Sequence, residues 1–245
     1  MTGISEYTVR VSARARGVRL QISARTGLVI VVPKGFGLGQ IPAILKSKQA
    51  WIERAFQRLG PQLQPCEART ACELPELISL RAIGEEWTVQ SQPTSAPWVT
   101  AAERGNGSLL VVGNTDDRPA CTRALCRWIS RKSHEHLAPL LREISHQEGL
   151  PFGRVLVKSQ RTRWGSCSRH KTISINQNLL FVPGRLVRYV FIHELCHTVH
   201  LNHSRDFWAL VRKKAPEYDA LRQELRKGWQ WIPAWIEDGQ GEARY

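Results

Sequence analysis

The 245-residue chain carries 35 Lys and Arg against 21 Asp and Glu, a net charge of +14, with a hydrophobic fraction of 42% that is ordinary for a folded soluble protein. No apolar run approaches the length of a bilayer span, and the opening MTGISEYTVRVSARARG lacks the apolar core of a secretory signal, so neither a membrane protein nor an exported one is expected. Six cysteines without a C-x-x-C pair point to a reducing, cytoplasmic setting with free thiols, a Cys66–Cys72 clip being the less favoured alternative.

In chain order, residues 7–13, 17–23 and 27–32 alternate apolar and polar in the strand manner, and Pro33-Lys34-Gly35 breaks the run. Residues 38–59 then follow helical spacing through Ile41, Ile44, Leu45, Trp51, Ile52 and Phe56, with Lys48 the exception on that face. Residues 60–75 read as a connection, followed by strand patterns at 77–83, 86–91, 97–102 and 108–112, the last two joined by an Asn106-Gly107 hairpin turn. Asp116-Asp117-Arg118-Pro119 opens a long helix over 118–148, and Gly149 suits its C-terminal cap. Strands at 154–160 and 172–176 flank the turning segment RTRWGSCSRHK. Pro183 opens a helix to about 201, Ser204 caps a further short helix ended by Pro216, and residues 217–228 are helical again. The pattern predicts an α+β protein: a β-rich N-terminal region with one helix (1–112), a largely helical second region (113–237) and a flexible tail (238–245).

The informative stretch is His193-Glu194-Leu195-Cys196-His197. Histidines four residues apart on a helix face the same way, so both imidazoles can meet one ion at about 2.0–2.1 Å. Glu194, turned about 100° round the axis from His193, misses the ion but reaches a water on it. That is the arrangement of a zinc site with a carboxylate general base. On this composition the pattern arises by chance about once in fifty chains, so alone it is moderate evidence. Catalytic zinc takes a third protein ligand. His200 shares the helical face but lies about 10 Å along a straight helix from His193. His203 follows Asn202, a residue that tolerates the left-handed conformation of a chain reversal, and is favoured over His200. His134, His136, His146 and His170 receive no role, and Cys196, on another face of the helix, is read as buried.

The string HELCHTVHLNHSRDFW resembles the H-E-L-x-H-x₅-H-S-x-x-F-W pattern of the YgjP-type metallopeptidase-like family, which is related in pattern to the WLM and SprT zinc proteases. Upstream, Trp164-Gly165-Ser166-Cys167-Ser168, Ile173, Ile175-Asn176, Leu179 and Pro183 fit the same family, as do Pro216-Glu217-Tyr218 downstream and GLVIVVPKG and KQAWIERAF near the start. The likeness covers residues 15–230 and is densest over 161–218. It implies a zincin-like helical core with a β-hairpin at the cleft, Zn2+ held by His193, His197 and His203, and Glu194 as catalytic base.

A zinc-dependent peptidase acting on a peptide or protein is the expected function. A metal-dependent nucleoside triphosphate pyrophosphohydrolase, with a nucleotide substrate, is the alternative, since the resemblance permits it and Arg161 and Arg163 suit an anionic group. A nucleic-acid-associated protease recruited through the basic surface ranks third. Three local expectations accompany these. The segment 161–168 forms a sheet edge that pairs with substrate, Trp164 being core and Gly165 a tight bend. Tyr218, then His200, is the candidate oxyanion donor. Asp206 and Glu217 are the nearest candidates to orient the ligand imidazoles.

Overall fold

The computed structural model describes residues 7–13, 15–23, 27–59, 74–160 and 162–239. The expectations for Arg161, for the Cys66–Cys72 clip and for the last six residues lie outside them. The chain divides into two compact units, Met1–Thr70 and Ala71–Tyr245.

In the first unit β1 (Tyr7–Ser12) runs parallel to β3 (Gly27–Pro33), and β2 (Arg19–Ser23) pairs antiparallel with β3, in the order β1-β3-β2. The pairing Tyr7↔Leu28 and Leu20↔Ile30 keeps one set of alternating residues on one face. Leu28, Ile30 and Val32 form a small core with Ile41, Leu45 and Ile52. The helix expected over 38–59 is broken at Lys48 into α1 (Ile41–Ser47) and α2 (Gln49–Leu59), preceded by a 3-10 turn at Leu38–Gln40. Lys48 was the one residue out of step with the apolar stripe, and it leaves the helical region at φ −109°, ψ 9°. Trp51, counted on the apolar face, is exposed.

The second unit opens with a four-stranded sheet of β4 (Leu77–Leu80), β5 (Glu85–Pro93), β6 (Val99–Arg104) and β7 (Ser108–Gly113), ordered β4-β5-β7-β6. The β6–β7 hairpin turns on Asn106 and Gly107, at φ 64° and 69°, the left-handed pair its turn type requires. Beside this sheet lies α3 (Arg118–Glu148), 31 residues or about 46 Å long. Its limits follow local chemistry. The Asp117 side chain accepts from Ala120 N at 2.8 Å at the start, and Gly149 ends it at φ 65°. Cys121, Leu125, Trp128, Ile129, Leu137, Leu141 and Ile144 bury its inner face. Trp128 donates to Glu103 at 2.8 Å, and the buried ammonium of Lys132 meets Glu85 at 2.9 Å, so these two donors of the inner face are satisfied. The four-stranded sheet shares one core with α3 and the helices that follow, whereas the chain pattern grouped these strands with the N-terminal ones.

The third sheet joins β8 (Arg154–Lys158), β10 (Thr172–Asn176) and β9 (Gly165–Cys167) in the order β8-β10-β9. β8 is parallel to the central β10; β9 is antiparallel to it and forms an edge. After a 3-10 turn at Gln177–Phe181 come α4 (Gly184–Cys196), α5 (Arg205–Lys214), α6 (Tyr218–Leu225) and α7 (Ala234–Gly239). This is the α+β architecture expected. Among the described residues no helix is long and apolar enough to cross a membrane.

Candidate active site

α4 stops earlier than its apolar pattern predicts, at Cys196 rather than near 201. His197 occupies the C-terminal cap, and Thr198 N to Leu195 O and His200 N to Cys196 O (2.9 and 3.0 Å) tighten the last turn. The chain then reverses. Asn202 does not adopt a positive φ there, so the reversal proceeds without the left-handed residue expected of it. Ser204 starts α5 at once, accepting from Phe207 N at 3.3 Å, and this places His203 back over α4.

One nitrogen from each of His193, His197 and His203 lies within 4.8 Å of the others. His193 Nε2 and His203 Nε2 face each other at 3.2 Å. Two bonds of 2.0–2.1 Å at a tetrahedral angle separate their donor atoms by about 3.3 Å, so the spacing fits an ion shared between these rings. The protonation state fits as well. Burial, and then the neighbouring His197, His203 and Arg222, push the His193 pKa down to about 3. Burial and His203 likewise lower His197, against the pull of the His200 main chain. Both shifts favour the neutral imidazole at His193 and His197, the form that can offer a lone pair to a cation.

His197 donates from Nδ1 to the His200 carbonyl at 2.9 Å, which leaves Nε2 for an ion. For His197, then, the orienting group is a main-chain oxygen; Asp206 and Glu217 are both exposed. His200 takes part through its carbonyl, and its ring is outside the cluster. Phe207, fully buried, floors the cluster, stacking on His197 with centroids 4.4 Å apart and standing edge-on to His193 and His203. Trp208 stacks on His203 (5.6 Å), and Tyr218 stacks on Trp208 (5.5 Å). The Tyr218 hydroxyl accepts from Arg212 at 3.2 Å, and Tyr218 is not among the residues that border the Glu194 cleft. These contacts add nothing in favour of Tyr218 as an oxyanion donor.

The cleft, about 370 Å³, is bordered by His193 and Glu194 of α4, the 162–165 segment and the α6 side. Glu194 is buried, and burial pushes its carboxyl up to about 8 against the opposing charge of Arg163. A divalent cation nearby acts in the same direction as Arg163, toward the ionised form. Gly165 lies flat against this carboxyl group. A Cβ there would sit 2.7 Å from Glu194 Cγ and 2.8 Å from Oε1. Its φ is not in the left-handed region, so the glycine serves close approach, not the tight bend expected. Gly165→Ala should therefore displace Glu194 and lower hydrolytic turnover by about 10²-fold with metal content unchanged, which steady-state kinetics beside metal analysis would check. Trp164, expected in the core, is half-buried at the cleft, stacked on Trp229 with centroids 4.2 Å apart.

Two contributors escape local patterning. Asn176 donates from Nδ2 to the carbonyls of Gln160 and Arg163, each at 2.7 Å, and ties the loop before β9 to the end of β10. Tyr189 lines the cleft with its ring 6.1 Å from that of His193. It stands four residues before His193, so helical spacing was the signal that could have found it. Cys196 is buried as expected.

An α+β chain with three converging imidazoles and a buried carboxyl group beside them is a metallohydrolase by class. The chain belongs to the family described as YgjP-like, metallopeptidase domain, whose profile matches residues 16–228. No curated protein matches it. Among solved structures it is similar to the metallopeptidase zymogen abylysin of Pyrococcus abyssi, at 23% identity and TM-score 0.35 over 38% of this chain and 95% of that one. It is also similar to the metallopeptidase zymogen jannalysin of Methanocaldococcus jannaschii, at 20% identity and TM-score 0.33 over 37% of this chain and 94% of that one. The family implies a catalytic metal and a peptide or protein substrate, and lends no support to nucleotide or nucleic-acid partners.

Proposed function

We propose that the chain is a zinc-dependent peptidase in which His193, His197 and His203 hold the ion and Glu194 is the general base. The observation that carries this is the convergence of three ring nitrogens within 4.8 Å, one of them on His193, which lines the same cleft as Glu194. Bound zinc supplies Lewis acidity, lowering the pKa of water and polarising the scissile carbonyl. Glu194 takes a proton from the attacking water as its oxygen bonds to the carbonyl carbon, then delivers that proton to the departing amide nitrogen as the C–N bond breaks. Gly165, lacking a side chain, leaves the space that the Glu194 carboxyl group occupies. β9, an edge strand bonded to β10 on one side, offers its other side to an extended peptide.

The protein stripped with a chelator should lose peptide hydrolysis and regain it with one equivalent of zinc. Full hydrolysis by protein shown to be metal-free would overturn the reading.

A further inference from the structure

Three arginines line the cleft that holds Glu194: Arg163 from the loop before β9, and Arg222 and Arg226 from the α6 side. Arg222 and Arg226 are four residues apart, one turn of the same face. Among the described residues no carboxylate forms an ion pair with any of the three, although Arg185, Arg188 and Lys214 elsewhere in this unit are paired with Glu224 or Glu148. Arg222 is held over the Trp208 ring, 4.7 Å from its centroid, which fixes its guanidinium without neutralising it. Among the described residues Glu194 is the only carboxyl group lining the cleft, and it is committed to catalysis on the reading above. Trp164, Trp229 and Leu225 make the remaining wall apolar. Arg163 faces the Glu194 carboxyl group and the other two have no carboxylate partner among the described residues, so these three exposed guanidinium groups give the concavity a positive field that favours an anionic ligand. The volume, about 370 Å³, lies in the range of small-molecule and side-chain subsites.

We infer that this cleft selects peptides carrying a carboxylate next to the scissile bond, with Arg163, Arg222 and Arg226 as specificity-determining residues. The carboxylate belongs either to an Asp or Glu side chain or to the free C-terminus of the peptide. The planar guanidinium groups suit both sources equally. The inference rests on the peptidase reading for its substrate class and adds the charge preference.

Binding separates the two claims. The zinc-loaded Glu194→Gln protein would be titrated with two pairs of short alanine-based peptides. One pair is capped at both ends and differs by a central Glu or Gln; the other has a free or an amidated C-terminus. An affinity gain of about 10-fold or more for the charged member is expected in one pair, which identifies the source of the carboxylate. Arg226→Gln and Arg163→Gln should each shrink that gain, and Arg222→Gln with Arg226→Gln should abolish it. Arg142→Gln, outside the cleft, should leave it intact. Zinc content of every variant excludes damage to the histidine cluster, which matters for Arg222 because it packs on Trp208. Equal affinity within both pairs at low salt overturns the inference, as does a gain that survives the double substitution. Failure of the metal-loaded native protein to cleave any peptide would overturn the peptidase reading while leaving this binding result readable.

Discussion

Glu194→Gln should abolish peptide hydrolysis, lowering turnover by about 10³-fold or more, while zinc content stays at the wild-type level. The substitution is nearly isosteric, so the side chain still fits in the space that Gly165 leaves. The amide cannot take a proton from water, and that function is the one lost. Zinc should remain because Glu194 is not among the three residues whose ligand atoms converge. A variant that kept its activity would exclude Glu194 as the base. A variant that lost both zinc and activity would indicate a structural role instead.

His203→Ala should weaken zinc binding by on the order of 10²–10³-fold, since it removes one of three protein ligands. The fold should persist: His203 is exposed, and α5 keeps its Ser204 cap and its buried Phe207. His200→Ala is the informative partner. Its side chain lies outside the cluster and its main-chain carbonyl, which orients His197, survives the change. Zinc titrations monitored by competition with a chromophoric chelator should place His200→Ala with the wild type and His203→Ala far from it. The reverse order would assign the third position to His200.

What could be read from the sequence depended on whether the signal was local. α3 appears with the limits its caps predict, because Asp117 and Gly149 act on their own helix ends. The hairpin at Asn106-Gly107 is local in the same way. His203 is favoured over His200 on the rise of a straight helix to about 201; α4 ends at Cys196, and it is the reversal after it that brings His203 to the other two histidines. The parallel pairing of β5 with β7 had no such signature, since it joins strands separated by β6. Nor could the sequence show which core the second sheet would join, a matter of packing between distant residues. Gly165 is the clearest case within the site. A glycine before a hairpin suggests a turn, and only the approach of α4 reveals that the missing side chain makes room for Glu194. Tyr218 is a case of the same kind: its sequence context could not show that its hydroxyl accepts from Arg212.

The most direct test of the zinc-centred account is a crystal structure of the zinc-loaded protein with diffraction recorded on both sides of the zinc absorption edge. The expected result is one anomalous peak about 2.0–2.1 Å from a ring nitrogen of each of His193, His197 and His203, with the Glu194 carboxylate facing but not ligating it. A peak elsewhere, or no peak among these three imidazoles in protein that carries stoichiometric zinc, would contradict the account.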